Sequence, residues 1–131
     1  MDPLGLQEAI EKALRDAGVL ALVTGFFLND ADENSRIPYI ILTLPAELLH
    51  TRTNTNKIHK SQFRIDCAAI SFPKARKLAN EVVAALTETD YDTQDGQVLT
   101  LHEDGRSYME EVGFYRAIQN MTALVDKERV R

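Results

Sequence analysis

The sequence has no tryptophan, one cysteine, four prolines and six glycines in 131 residues. A lone Cys67 excludes an internal disulfide, and with it the small stapled scaffolds of oxidising compartments. Few glycines and prolines beside 44% hydrophobic residues exclude collagen-like and low-complexity chains, and leave enough apolar surface to offset the entropy of ordering. Long apolar runs are missing as well. The longest stretches, residues 19–28 and 37–46, are interrupted by Thr24, Gly25 or Pro38 and fall well short of the ~20 residues a membrane helix needs. The start, Met1-Asp2-Pro3, lacks the basic and apolar parts of a secretory signal, so the chain is expected to stay in the compartment where it is made, without a membrane partner.

Positive charge is the scarcer sign, with 15 Lys plus Arg against 20 Asp plus Glu and a net charge of -5. That balance opposes general nucleic-acid binding, which depends on cations displacing counterions from phosphate. The charge is also unevenly spread. Residues 50–64 carry Arg52, Lys57, Lys60 and Arg64 with no acid, whereas residues 88–95 carry Glu88, Asp90, Asp92 and Asp95 with no base. At 14.7 kDa the extended chain exposes roughly 21,000 Å² and the folded one about 7,000 Å², so a single core suffices. One domain over residues 1–131 is expected, with 126–131 as a flexible tail.

Asp2 suits an N-cap and Pro3 the first helical position, and Leu6, Ile10, Ala13, Leu14 and Ala17 recur at helical spacing before Gly18, which predicts an amphipathic helix. Residues 19–28 read as a buried turn and 29–36 as a polar, acidic loop. A strand follows over 38–44, and Pro45 suggests a bulge or an exposed edge. Phe63, Ile65, Cys67 and Ala69 alternate with Gln62, Arg64 and Asp66, the period of a strand with one buried face. The two strands form a long hairpin if Asn54-Thr55 is its tip. Leu44 then opposes Ile65, Leu42 opposes Cys67 and Ile40 opposes Ala69, all on one apolar face, and residues 51–57 project as a polar arm.

Ser71 can cap a second helix with Pro73 in its first turn and Ala75, Leu78, Ala79, Val82, Val83 and Leu86 as its apolar stripe. Thereafter the reading is an acidic loop over 87–96, a short strand over 97–102, a turn at Glu103-Asp104-Gly105-Arg106, and a last strand over 114–125 in which Phe114, Ile118 and Leu124 share one parity. There are no internal repeats.

Chemistry-bearing patterns are sparse. The sequence has no phosphate-binding glycine loop, nucleophile elbow, cysteine pair or His-Glu-x-x-His helix. Cys67 faces the expected core and reads as a small buried hydrophobe, not a nucleophile. His50 and His59 face each other in the hairpin register and could supply half of a zinc site, but ordinary surface histidines are far commoner and no other ligands are evident. The acids at 88, 90, 92 and 95 lack the glycine and closing glutamate of a calcium loop, so a solvated loop is the better account. Lys74, Arg76 and Lys77 stand early in the second helix, where they oppose its dipole. They are either a solvent face without a role or a surface for an acidic partner. No catalytic, cofactor-binding or metal-ligating residue is assigned, and no cofactor is expected.

Phe63-Arg64-Ile65-Asp66-Cys67 followed by Ser71, Ala75, Leu78-Ala79, Val82 and Leu86, together with Pro38-Tyr39-Ile40-Ile41 and the late Tyr115-Arg116, resembles the tail-completion or head-tail joining proteins of long-tailed bacteriophages. The likeness runs through residues 4–125 in order of elements. Two departures are Ala68, where members often carry an aromatic residue, and a hairpin tip without glycine. The resemblance implies an α+β fold, a mostly antiparallel sheet with a long β-hairpin packed against two main helices, and a protomer that forms a ring, commonly a hexamer. It also implies a structural protein of the virion tail, assembled in the host cytoplasm and not an enzyme. That protein caps the head-proximal end of the tail tube, ends tube polymerisation and joins the tail to the head. The expected partners are copies of itself, monomeric before assembly if the tube templates the ring, then the tail tube protein and the head-tail connector protein, with DNA passing through unbound. A domain of this length has a radius of gyration of about 14 Å and a diameter of roughly 36 Å, and six such bodies in a ring leave an opening of similar width.

A ring joins two different patches of each protomer, which fits one basic arm and one acidic loop. The expected interface residues are Arg52, Asn54, Asn56, Lys57, His59, Lys74, Lys77, Asp90 and Asp92. Two other readings compete: a head-side connector or adaptor, and a small cytoplasmic binding module or enzyme using Cys67 or the His50 and His59 pair.

Overall fold

The computed structural model describes residues 3–31, 36–44, 58–87, 91–93 and 96–126. Helix α1 spans Pro3–Asp16, a 3₁₀ turn Val19–Leu22, β1 Gly25–Leu28, β2 Tyr39–Thr43, β3 Ile58–Ala69, α2 Phe72–Thr87, β4 Tyr91–Thr93, β5 Gly96–Glu111 and β6 Phe114–Asp126. The strands make one six-stranded sheet in the order β1-β2-β3-β6-β5-β4. Every neighbouring pair is antiparallel except β1 with β2. The architecture is the expected α+β sheet with two helices.

Both helices lie on one face. Ile10 and Leu14 of α1 and Ala75, Ala79, Val82 and Leu86 of α2 bury into a core with Ile40, Leu42, Phe63, Ile65, Cys67, Ala69, Ala117, Met121 and Ala123, all of one parity on their strands. Helix α1 ends as its sequence requires. Gly18 takes φ 81°, and its N–H donates to the Arg15 carbonyl at 3.0 Å, a left-handed stop that glycine adopts without strain. Helix α2 is capped by Ser71, whose Oγ accepts from Lys74 N–H at 3.4 Å.

Several expectations are corrected. Residues 19–28 are not one buried turn but a 3₁₀ turn and strand β1. Gly25 serves the strand there, because the ring of Phe27 folds back to within 2.6 Å of where a Cβ would stand, an aromatic covering a strand glycine. Thr24 pins the returning chain by donating from its N–H to the Pro38 carbonyl at 2.8 Å, with its hydroxyl on the carbonyls of Arg36 and Pro38.

The β2–β3 pairing sets Ile40 against Cys67 and Leu42 against Ile65, two residues from the expected register. An even shift keeps each side chain on its face, so the apolar pattern alone could not distinguish the two. Within the expected acidic loop, residues 91–93 form β4. The expected turn at residues 103–106 is instead a bulge inside the continuous strand β5, because the register steps between Glu103 and Gly105. In β6 the core takes Ala117, Gln119, Met121 and Ala123, the parity opposite to Phe114, Ile118 and Leu124. Pro45, His50, the arm at 51–57 with its Asn54-Thr55 tip, and residues 127–131 lie outside the described residues.

Ile65 is fully buried at the centre of β3. Ile65→Ala is expected to lower the unfolding free energy by about 2–5 kcal/mol, measured by urea denaturation, with Gln62→Ala on the exposed face changing it little.

Candidate functional site

Three sets of side chains beyond the apolar core shape this molecule. The first lies between α2 and the sheet. Asp104 is the extra residue of the β5 bulge, so Glu103 opposes Met121 and Arg106 opposes Gln119. Three residues apart on a regular strand, Glu103 and Arg106 would face opposite ways; the bulge brings both to the helix side. Arg106 Nε and Nη2 donate to Glu103 Oε2 and Oε1 at 2.8 and 3.1 Å, and Nη1 donates to Asn80 Oδ1 at 2.7 Å and Tyr108 Oη at 3.1 Å. The bonds to Glu103 hold the guanidinium's proton more firmly than usual. Beneath this fork, fully buried Gln119 donates from Nε2 to the Ala79 carbonyl at 3.1 Å and to Glu103 Oε2 at 3.0 Å. Its Oε1 accepts from Cys67 Sγ–H at 3.5 Å. Burial pushes the Cys67 thiol well above its ordinary pKa, so it carries no nucleophilic chemistry at neutral pH.

The second set is on the sheet face that carries no helix. Asp66 is 1% exposed there. Its carboxylate meets Arg64 Nε at 3.0 Å and Arg116 Nη1 at 3.3 Å, and Arg116 Nη2 meets Glu111 Oε1 at 3.3 Å. Desolvation raises the Asp66 pKa despite both arginines. Tyr39 packs beside this cluster, edge-on to Phe27 at 5.9 Å and tilted against Phe114 at 6.3 Å. Further along the same face, Thr122 donates its hydroxyl to Asp104, His102 Nε2 stands 3.0 Å from the same carboxylate, and a shallow hollow of about 330 Å³ opens beside Gln62 and Asn120.

The third set is the outward side of α2. Lys74, Arg76 and Lys77 are exposed and form no ion pair among the described residues. A groove of about 290 Å³ runs beside Phe72, Pro73, Arg76, Lys77 and Asn80, and another of about 260 Å³ beside Leu22, Pro38, Lys74, Lys77, Leu78 and Glu81. Phe72 stacks on Tyr108 at 4.7 Å and remains 41% exposed, and Ile70, Leu22 and Val112 are more exposed still.

Of the expected interface residues, Lys74 and Lys77 stand together on this ridge. His59 and Asp92 are placed by their backbones, in β3 and β4. Arg52, Asn54, Asn56, Lys57 and Asp90 lie outside the described residues, as does His50 of the histidine pair. The row Tyr91, Val98, Val125, His59 puts the foot of the arm and strand β4 at the same end of the sheet, three strand spacings or about 14 Å apart. Sequence reasoning missed the Asp66 cluster and the Gln119 lock. The Arg64-x-Asp66 pair on one strand face was the available signal for the former; the latter depends on a bulge that no local pattern announces. Among the described residues no group of three or more His, Cys, Asp or Glu could hold a metal ion, and no helix is long and apolar enough to cross a membrane.

The geometry defines a class: a small α+β domain whose buried polar groups tie helix to sheet, and whose grooves are shallow and lined by cations and apolar side chains. The comparisons place it further. The model of the tail completion protein gp17 family matches residues 8–126, and the chain belongs to that family, as a structural, tail-associated protein of a phage-type virion. Among solved structures it is similar to a chain of the virion of a native gene transfer agent particle, at 21% identity and a TM-score of 0.72 over 93% of this chain and 95% of that one. A second solved chain is 12% identical with a TM-score of 0.60, covering 96% of each. Both likenesses establish the fold. No curated protein matches.

Two predictions follow from the locks. Glu103→Ala strips the acceptor from Arg106 and from one Gln119 N–H, and is expected to cost about 2–3 kcal/mol in a denaturant titration. Because the Asp66 pKa is raised in the folded chain, the native state gains a proton before the unfolded state does as pH falls. Stability from this group is therefore full below its unfolded pKa and lost as pH rises through its folded pKa. Melting temperatures across acidic pH should show that gain in the wild type and lack it in Asp66→Asn.

Proposed function

We propose that this protein closes the head-proximal end of a phage tail tube as a ring, six-membered in the virion, which ends tube polymerisation and offers the surface that joins the tail to the head. The observation that carries this is the family membership over residues 8–126. The mechanism is geometric and needs no catalytic group or cofactor: a ring with one face complementary to the tube and a different face beyond it adds once and leaves no site for further tube subunits. Its place is the virion tail, after assembly in the host cytoplasm. Its partners are its own copies, the tube protein and a head-side connector. The net charge of -5 suits a conduit, since a wall with few cations does not hold a passing duplex by counterion release.

Within the ring, the arm carrying Arg52, Asn54, Asn56 and Lys57, rooted at His59, reaches a neighbour's acidic surface. Light scattering across concentration and at two salt levels, then imaging with purified tail tubes, tests the reading. The expected result is a ring of about six copies, in solution or at one tube end, that weakens in high salt. Attachment only to the portal vertex of filled heads would favour the head-side connector reading instead. An Arg52→Glu, Lys57→Glu double variant is expected to lose assembly while keeping its fold, and unchanged assembly would remove the arm from the interface.

A further inference from the structure

Resting on the ring reading, we infer that the end of the β5–β6 hairpin is a knob that seats in the groove between α2 and the 3₁₀ turn of the next copy of this chain, a contact separate from the arm. The hairpin outruns its neighbour in the sheet. The ladder between β3 and β6 ends at Ala69 opposite Tyr115, whereas β5 and β6 stay paired as far as Glu111 and Phe114 and are joined by Val112-Gly113. Val112 at that tip is 100% exposed, so nothing in its own chain covers it.

Large apolar side chains left open among the described residues gather at this end. Ile70 leaves β3 just past the last pair of its ladder, Phe72 stacks on Tyr108 at 4.7 Å, and Met109 accepts from Arg116 Nη2 on its sulfur at 3.3 Å, all four of them exposed. Tyr108 points to the helix side and Met109 to the helix-free side, so the hairpin end is apolar on both faces. A surface that lies flat on a partner needs one such face; two suit insertion. Acids accompany them, because residues 107–115 carry Glu110 and Glu111 and no base. Glu111 is held by Arg116, while Glu110 is exposed and forms no ion pair among the described residues.

The groove has the complementary character. Its volume is about 260 Å³, and Leu22, Pro38 and Leu78 line it with Lys74 and Lys77 beside them. At roughly 30 Å³ per liquid water that is the space of about nine waters, room for one or two branched aliphatic side chains. Leu22 is 54% exposed on it, and neither lysine forms an ion pair among the described residues. A knob with an apolar tip and flanking carboxylates thus meets an apolar floor with flanking ammonium groups, an apolar centre inside a polar rim. The second groove, at Phe72, borders the knob's own Tyr108 and is part of the inserting side. Knob and socket are different patches of one protomer, so their contact is head-to-tail, the type that closes into a ring.

The test places single cysteines at Val112 and Lys77 in the full chain, with buried Cys67 left in place. A short bismaleimide should yield a covalent dimer when Val112→Cys and Lys77→Cys chains are co-expressed and none when either is treated alone. In parallel, Val112→Asp, Glu110→Lys and Lys77→Glu should each weaken self-association at least about tenfold, in solution or on tail tubes, and mixing the Glu110→Lys and Lys77→Glu chains should restore it; melting temperature verifies the fold. Val112→Cys coupling to itself overturns the inference, as does a Val112→Asp chain that associates as tightly as the wild type, which leaves the ring standing on another interface. A Val112→Asp chain that forms normal rings but no longer seats on tail tubes also overturns it and gives the knob to the tube. A wild type that stays monomeric at every concentration and on tubes overturns the ring reading as well.

Discussion

The side-chain amide of Gln119 is the interaction on which the arrangement of the layers turns. It is fully buried in β6, and its amide bonds the Ala79 carbonyl in the middle of α2 and the Glu103 carboxylate of β5 at once. A buried amide in an apolar core is costly unless its hydrogen bonds are met, so these partners admit one helix position where van der Waals packing would tolerate several. Glu103 is in turn gripped by Arg106, whose guanidinium reaches Asn80 on the outer side of α2. The middle of α2 is thereby tied to the sheet at the consecutive residues Ala79 and Asn80, once to β6 and once to β5.

The opposite sheet face shows a different economy. No helix covers it among the described residues, yet Asp66, Ala68 and Thr122 are almost fully buried. The cover comes from long side chains lying along the sheet, chiefly Arg64 and Arg116 with the Tyr39 and Phe114 rings. The arginine stems supply apolar cover while their heads pair with Asp66 and, for Arg116, with Glu111, so a single-layer face is made half dry without a second layer. The cost is a carboxylate whose desolvation outweighs two adjacent cations.

The sequence was legible where one period governed one face. The Ser71 cap, the Gly18 stop and the α2 stripe reappear, with Ala85 buried where Val83 was expected, and the core face of Phe63 to Ala69 is as read although Asp66 and Ala68 on the other face are buried as well. It was illegible where the deciding partner is distant. Strand β1 looks like a turn because Gly25 interrupts it, and only the Phe27 ring and the β2 backbone make it a strand. Glu103-Asp104-Gly105-Arg106 has turn composition, but β6 runs unbroken alongside and a bulge satisfies more backbone hydrogen bonds than a reversal would. Register failed by an even number for the reason that parity is all the apolar pattern encodes. Of the candidate interface, Lys74 and Lys77 were readable as cations without a local reason, whereas the apolar grooves beside them need Leu22 and Pro38 from elements that were not foreseen.

The ring proposed above carries a constraint specific to assemblies that add once. A subunit that polymerises freely is a hazard to a structure of fixed length, so its contacts should be individually weak and jointly strong. Exposed charges meet that requirement, because screened surface pairs contribute little each and a closed ring engages all of them together without a free end. The short strands β1 and β4 at the two sheet edges, four and three residues long, act in the same direction by limiting open-ended strand pairing. For the ring proposed above, contacts of that kind leave each joint weak and the closed assembly strong.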